Sequence, residues 1–97
     1  MKLHQSQYQD ILKLLDEFQI PHERLSLVKK KGRIKVQIKD VDSTFEFFKR
    51  KSVSLSEDGK EWQKSEHYEL NVDGNPALLA DWKEVITHLN KWLQSQI

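Results

Sequence analysis

The chain has 97 residues, 37% of them hydrophobic, with 16 Lys and Arg against 15 Asp and Glu and no cysteine. That is enough apolar material for one domain with a modest core, and it excludes disulfide staples, thiolate metal sites and cysteine nucleophiles. No leader-like apolar segment opens the sequence and no apolar run nears the ~18 residues of a membrane span, so one soluble, cytoplasmic domain over residues 1–97 is expected.

In chain order, Tyr8, Ile11, Leu12, Leu15 and Phe18 recur at helical spacing, which predicts an amphipathic helix over 7–20. Ser6 and Gln9 have the spacing of a capping box, Pro21 stops the helix near Ile20, and Leu14 widens the apolar stripe toward a sheet-packing helix. From Glu23 the period becomes two. Leu25 and Leu27 alternate with Ser26 and Val28. After Lys30-Lys31-Gly32, Ile34, Val36 and Ile38 alternate with Arg33, Lys35, Gln37 and Lys39. This is a hairpin with one apolar face. A turn over 40–43 leads to a third strand with Phe45 and Phe47 inward and Glu46, Phe48 and Arg50 outward.

Val53 and Leu55 precede Asp58-Gly59, a strong hairpin signal, and a turn there places Leu55 opposite Trp62. Tyr68, Leu70 and Val72 form the inward face of the next strand. Lys64 and Glu66 share that phase, which predicts a bulge or bend near 63–66, or two side chains beyond the sheet edge. Asn75 as cap, Pro76 at the first helical position and the run Leu78, Leu79, Trp82, Val85, Ile86, Leu89, Trp92, Leu93 predict a C-terminal helix from residue 75.

The expected architecture is α+β: a helix, an antiparallel meander of four or five strands and a second helix, both helices on one face of the sheet. The other face is then open to water. It carries Arg24, Ser26, Arg33, Lys35, Gln37, Lys39, Glu46, Phe48, Arg50, Ser52, Ser54, His67, Glu69 and Asn71.

Charge is uneven along the chain. Residues 1–23 hold two basic and four acidic side chains, residues 24–53 ten and three, and residues 54–97 four and eight. Antiparallel pairing brings residue 50 back toward residue 33, so Lys30, Lys31, Arg33 and Lys35 are expected near Lys49, Arg50 and Lys51. Such a patch is a candidate site for nucleic acid or another polyanion. Lysines at turns and strand faces also serve solubility and block edge-to-edge aggregation. Phe48 and Trp62, less firmly placed in a core stripe than the other aromatics, and His67, beside Glu66 and Glu69, are candidate partner contacts.

Catalytic chemistry finds little support. Ser52, Ser54 and Ser56 alternate along one strand, and His4, His22, His67 and His88 are scattered over four elements, so no serine has an evident base. Neither the His spacing of zinc sites nor a calcium loop occurs, and Gly32, Gly59 and Gly74 stand singly, each with a turn to explain it. No metal, cofactor or enzymatic activity is expected.

The helix–strands–helix order resembles that of the double-stranded RNA-binding domain, whose last helix starts on a basic cluster. The corresponding stretch here, Asn75 to Asp81, has no Lys or Arg, so the resemblance stops at element order. In general character the chain resembles the small orphan proteins of phages and mobile elements. The sequence therefore points to a non-enzymatic binding or adaptor module acting on an unidentified protein or on itself as a homodimer, with nucleic-acid binding through the basic sheet edge as the alternative.

Overall fold

The structure is a computed structural model that describes residues 3–96. Helix α1 (Gln5–Glu17) leads through a 3-10 turn at His22–Arg24 into strands β1 (Leu25–Lys30), β2 (Arg33–Ile38), β3 (Phe45–Leu55), β4 (Trp62–Val72) and β5 (Asn75–Leu79), followed by helix α2 (Trp82–Gln96). The five strands form one antiparallel meander in sequence order. Short connections make neighbours in sequence neighbours in the sheet.

Both helices cover the face that carries Ile34, Val36, Ile38, Phe45, Phe47, Tyr68, Leu70 and Leu79. Ile11, Leu14 and Leu15 of α1 and Val85, Leu89, Trp92 and Leu93 of α2 complete a single buried cluster. Aromatic rings tie the layers together: Phe45 lies 5.7 Å from Trp92, and Phe47 lies 5.6 Å from Trp82, centroid to centroid. Tilted ring pairs at these separations add attraction beyond the area they bury.

Helix α1 is capped two residues earlier than Ser6 and Gln9 suggest. His4 is the N-cap, and its N–H donates to Gln7 Oε1 at 3.2 Å. The buried stripe is correspondingly rotated, taking in Gln7 and leaving Tyr8 exposed. Gln7 tolerates burial because its Nε2 donates to the Tyr68 hydroxyl at 2.9 Å. The helix ends before Ile20. Gln19 turns into the left-handed region at φ 56°, its N–H donates to Asp16 at 3.1 Å, and Ile20 N–H donates to Leu15 at 2.8 Å. These are the two bonds of a Schellman ending, with Ile20 and Leu15 as its apolar contact.

The C-terminal helix is shorter than the sequence suggests. Asn75 and Pro76 neither cap nor open it; they begin β5, which pairs with β4 from Val72↔Asn75 to Tyr68↔Leu79. The turn between them is Asp73-Gly74, with φ 51° and 88°, so the dipeptide that signals a two-residue hairpin occurs twice in this chain. Leu78 and Leu79 accordingly follow a period of two: Leu79 is buried, whereas Leu78 is 74% exposed. Pro76 sits on an edge strand, where a missing N–H costs no interior ladder bond. Helix α2 instead starts after Asp81, whose Oδ1 accepts the Glu84 N–H at 3.0 Å, while Glu84 Oε2 reaches back to the Ala80 N–H at 2.7 Å. That is capping-box chemistry displaced by one position.

No bulge interrupts residues 63–66. The β3–β4 register is continuous from Phe45↔Val72 to Leu55↔Trp62. Lys64 and Glu66 share the phase of the core because they lie beyond it, out on a projecting ribbon.

Candidate functional site

The ribbon is the feature that positions every candidate residue. Strand β2 pairs with β3 only over Phe45–Phe47, and β5 pairs with β4 only over Tyr68–Val72. Past those points β3 and β4 continue alone, so residues 49–67 form a two-stranded arm. The arm makes the molecule 52 Å long and 27 by 23 Å across. It also raises the radius of gyration to 15.4 Å, against about 13 Å for a compact chain of this length.

The arm has two unlike faces. On the face continuous with the core lie Lys49, Lys51, Val53 and Leu55, opposite Tyr68, Glu66, Lys64 and Trp62. Lys49 Nζ meets Glu66 Oε2 at 2.8 Å, and Lys51 stands 4.0 Å from the same carboxylate. The hydrogen bond with Glu66 raises the Lys49 ammonium above its ordinary value and holds the Glu66 carboxyl below its own. Nearer the tip the face is apolar: Val53, Leu55 and Trp62 are 56%, 52% and 69% exposed. The other arm face is small and polar, with Ser52 and Ser65 in hydroxyl contact across the ladder.

The tip itself is well tied. Ser56 N–H donates to the Glu61 carbonyl at 2.7 Å, Glu61 N–H donates to Ser56 Oγ at 3.1 Å, and Gly59 takes φ 71°. Asp58 accepts the Ser56 hydroxyl and the Lys60 N–H, which together hold its carboxyl below the ordinary range. Asp58-Gly59 is thus the centre of a longer loop, in the register that sets Leu55 opposite Trp62.

The basic residues are brought to one end of the sheet but divided between its faces. Register places the Lys31-Gly32 turn alongside the start of the arm. Lys30, Arg33, Lys35 and Arg50 lie on the open face, whereas Lys49 and Lys51 lie on the helix-side face. Carboxylates take up several of these charges. Arg33 Nη1 is 3.2 Å from Glu46 Oε1, and Arg50 Nη1 is 2.6 Å from Glu69 Oε1. Among the described residues, Lys30, Lys31 and Lys35 have no carboxylate within 4.0 Å.

The three candidate partner contacts do not converge. Phe48 and His67 lie on the open face, and Trp62 on the opposite face near the arm tip. Phe48 is half-buried beneath the Arg33 guanidinium, 4.9 Å from its ring centre. With Glu69, Asn71, Pro76 and Leu78 it lines a shallow groove of about 420 Å³. His67 Nε2 is 3.8 Å from Glu69, whose carboxylate Arg50 already holds. Among the described residues, no hydrogen bond joins a serine hydroxyl to a histidine ring.

Sequence reasoning missed the apolar tip as a unit. Trp62 is singled out as a candidate contact but is not grouped with Val53 and Leu55, and Leu78 reads as part of a helix. No helix among the described residues is long and apolar enough to cross a membrane. Comparison with protein-family models, with curated proteins and with solved structures found no match.

Proposed function

We propose that this chain is a small non-enzymatic module that works by binding another protein chain, and that the β3–β4 arm is its contact element. The observation that supports this reading is the exposure of Val53, Leu55 and Trp62 together on one face of an arm that neither helix covers among the described residues. Scattered apolar side chains on a surface need no explanation, but three clustered on a projection do. Burying such a side chain is worth roughly 1.5–3 kcal/mol, so a partner that covers all three gains several kcal/mol. Aromatic anchors ringed by polar groups are also the usual centres of protein interfaces.

The test is site-specific photo-cross-linking in an extract of the source cells. A photoreactive side chain at Leu55 is expected to give discrete protein adducts that disappear in a Val53→Asp background. The same group at Thr87, on the exposed side of α2, is the control and is expected to give none. Equal labelling from both positions, or none from either, sinks the reading.

A second reading, binding of nucleic acid or another polyanion, is supported by the ammonium groups of Lys30, Lys31 and Lys35 at one end of the sheet, which have no carboxylate within 4.0 Å among the described residues. Three phosphate contacts give a slope of log affinity against log salt of roughly −2 to −3. Fluorescence anisotropy with generic duplex and single-stranded probes measures that slope. Binding that is insensitive to Lys30→Glu with Lys35→Glu, or absent at low salt, removes this reading.

A further inference from the structure

We infer that the arm pairs with a second copy of this chain, β4 edge to β4 edge, about a two-fold axis at Gln63; this rests on the protein-binding reading above. Backbone direction comes first. Ser56 N–H donates to the Glu61 carbonyl, so Ser56 and Glu61 form a bonded pair of the β3–β4 ladder. Bonded and non-bonded pairs alternate along an antiparallel ladder. Gln63, Ser65 and His67 therefore direct their backbone groups to β3, and Trp62, Lys64 and Glu66 direct theirs outward. Tyr68, Leu70 and Val72, in the same phase, meet β5. The outward groups of residues 62–66 face no strand.

Sterics and charge then select the register. Strand β5 ends opposite Tyr68 at Leu79, so only the stretch before Tyr68 is open to a second chain. A two-fold at Ser65 sets the second copy's Trp62 where Leu79 stands. One at Lys64 sets ammonium against ammonium, which is unfavourable directly across a ladder. One at Gln63 stays inside the open stretch. There Trp62 lies beside the second copy's Lys64, Lys64 beside its Trp62, and each of these two pairs exchanges backbone hydrogen bonds. The tip loop that carries Lys60 then lies toward the second copy's Glu66, and the reverse, bringing opposite charges together twice by symmetry.

The β3 edge offers nothing comparable. Its outward positions on the arm are Lys49, Lys51, Val53 and Leu55, with no acidic residue among them. Like charges on facing edges oppose pairing.

Pairing at Gln63 also answers the weakness of a lone ribbon. Two strands are marginal in water, whereas three or more with an apolar face are self-sufficient. The joined arms make four strands. Across them the helix-side face reads Leu55, Trp62, then the second copy's Lys64 and Val53, and the same row inverted. The contact is isologous, so it closes at two copies rather than growing into a fibre.

Analytical ultracentrifugation of the full chain tests the interface. The expected result is a concentration-dependent dimer. Lys64→Pro removes an outward N–H at an edge position that tolerates proline. Two bonds are lost per dimer, so the dissociation constant is expected to rise about tenfold or more. Glu66→Lys is expected to weaken the dimer, and Lys60→Glu combined with Glu66→Lys to restore it; near-ultraviolet circular dichroism reports that each variant keeps its fold. Three results overturn the inference: a monomer up to about 1 mM, a dimer indifferent to Lys64→Pro and to charge reversal, or an assembly larger than two. If the chain is monomeric while Leu55 still cross-links to a different protein, self-pairing fails and the protein-binding reading stands. If neither occurs, both fail.

Discussion

The side-chain amide of Gln7 donates to the hydroxyl of Tyr68 at 2.9 Å, joining the first helix to the fourth strand across 61 residues of sequence. Both groups are buried, and each is the other's partner. Removing one leaves the other unsatisfied, whereas removing both leaves an apolar contact. Tyr68→Phe is expected to lower stability by about 1–3 kcal/mol. Gln7→Leu in the same chain is expected to recover part of that loss, less the bond by which Gln7 Oε1 accepts the His4 N–H. A double-mutant cycle by urea denaturation measures the coupling.

Leu78 and Leu79 are adjacent, apolar and opposite in consequence. Leu79→Ala opens a space in the core and is expected to cost about 2–5 kcal/mol. Leu78→Ser, on the open face, is expected to stay within about 0.5 kcal/mol. A helix over these residues predicts comparable losses at both positions, so the two denaturation midpoints distinguish strand from helix directly.

The left-handed positions offer stabilising changes. Gln19 at the end of α1 holds φ 56°, a conformation that glycine adopts without cost. Gln19→Gly is expected to stabilise by several tenths to about 1 kcal/mol. Gly74 presents the reverse case at φ 88°, where an added Cβ meets nothing within 4 Å. Any penalty of Gly74→Ala is therefore backbone strain alone, about 1–2 kcal/mol. Thermal melts of the two variants are expected to shift in opposite directions.

Asp73 is a clamp whose strength depends on pH. Its carboxylate accepts the Ser43 hydroxyl and the Thr44 N–H, the latter at 2.9 Å, while Ser43 Oγ accepts Trp92 Nε1 at 2.8 Å. The Ser43 hydroxyl first, and then the Thr44 N–H, hold this carboxyl below its ordinary value of 3.8. A depressed carboxyl stabilises fully above its unfolded-state value, and that contribution is lost as pH falls through the lower folded-state value. Urea midpoints measured downward from about pH 5 are expected to fall less steeply in Asp73→Asn than in the parent chain. Glu66 and Asp58, also depressed, contribute in the same acid range to both proteins and cancel in the difference.

The arm is expected to be dispensable for folding. No residue from 51 to 66 is buried. Replacing Val53–Lys64 by Asn-Gly joins Ser52 to Ser65, a bonded pair of the ladder, through a turn that matches the twist of the flanking strands. The shortened chain is expected to keep its α1, β5 and α2 amide chemical shifts and to lose less than about 1 kcal/mol of stability. Large shift changes in α2 show instead that the arm supports the core.

Much of the architecture is legible in the sequence, and the misplaced start of α2 and the hidden arm share a cause. Periodicity of two marks β1 and β2, Asp58-Gly59 fixes the register that opposes Leu55 to Trp62, and Trp82 to Leu93 form a continuous helical stripe. The run from Asn75 to Leu79 is degenerate, because Asn and Pro suit a helix start and adjacent leucines fit either period. What decides it is the free edge of β4, which no local pattern contains, together with the second Asp-Gly at 73–74. The arm is hidden for a related reason. Val53, Leu55 and Trp62 alternate as buried residues do, and whether a helix covers them depends on its length. A helix of 15 residues reaches only about 22 Å. The basic cluster was legible as a convergence at one end of the sheet. Its division between two faces follows from alternation, and the carboxylates that neutralise it come from β3 and β4.

Because the chain crosses from its first half to its second at the far end of the arm, the covalent link between the halves sits well away from the core that unites them. Lys60 lies in that outlying loop, exposed. Cleavage after it yields two fragments, one carrying α1 and β1–β3 and the other β4, β5 and α2. In the intact chain the two parts are joined by the β3–β4 ladder and by the core packed between the sheet and the helices. The molecule is in this sense a pair of complementary peptides joined by a distant strap, and severing the strap leaves the native association to the β3–β4 backbone ladder and the packed side chains.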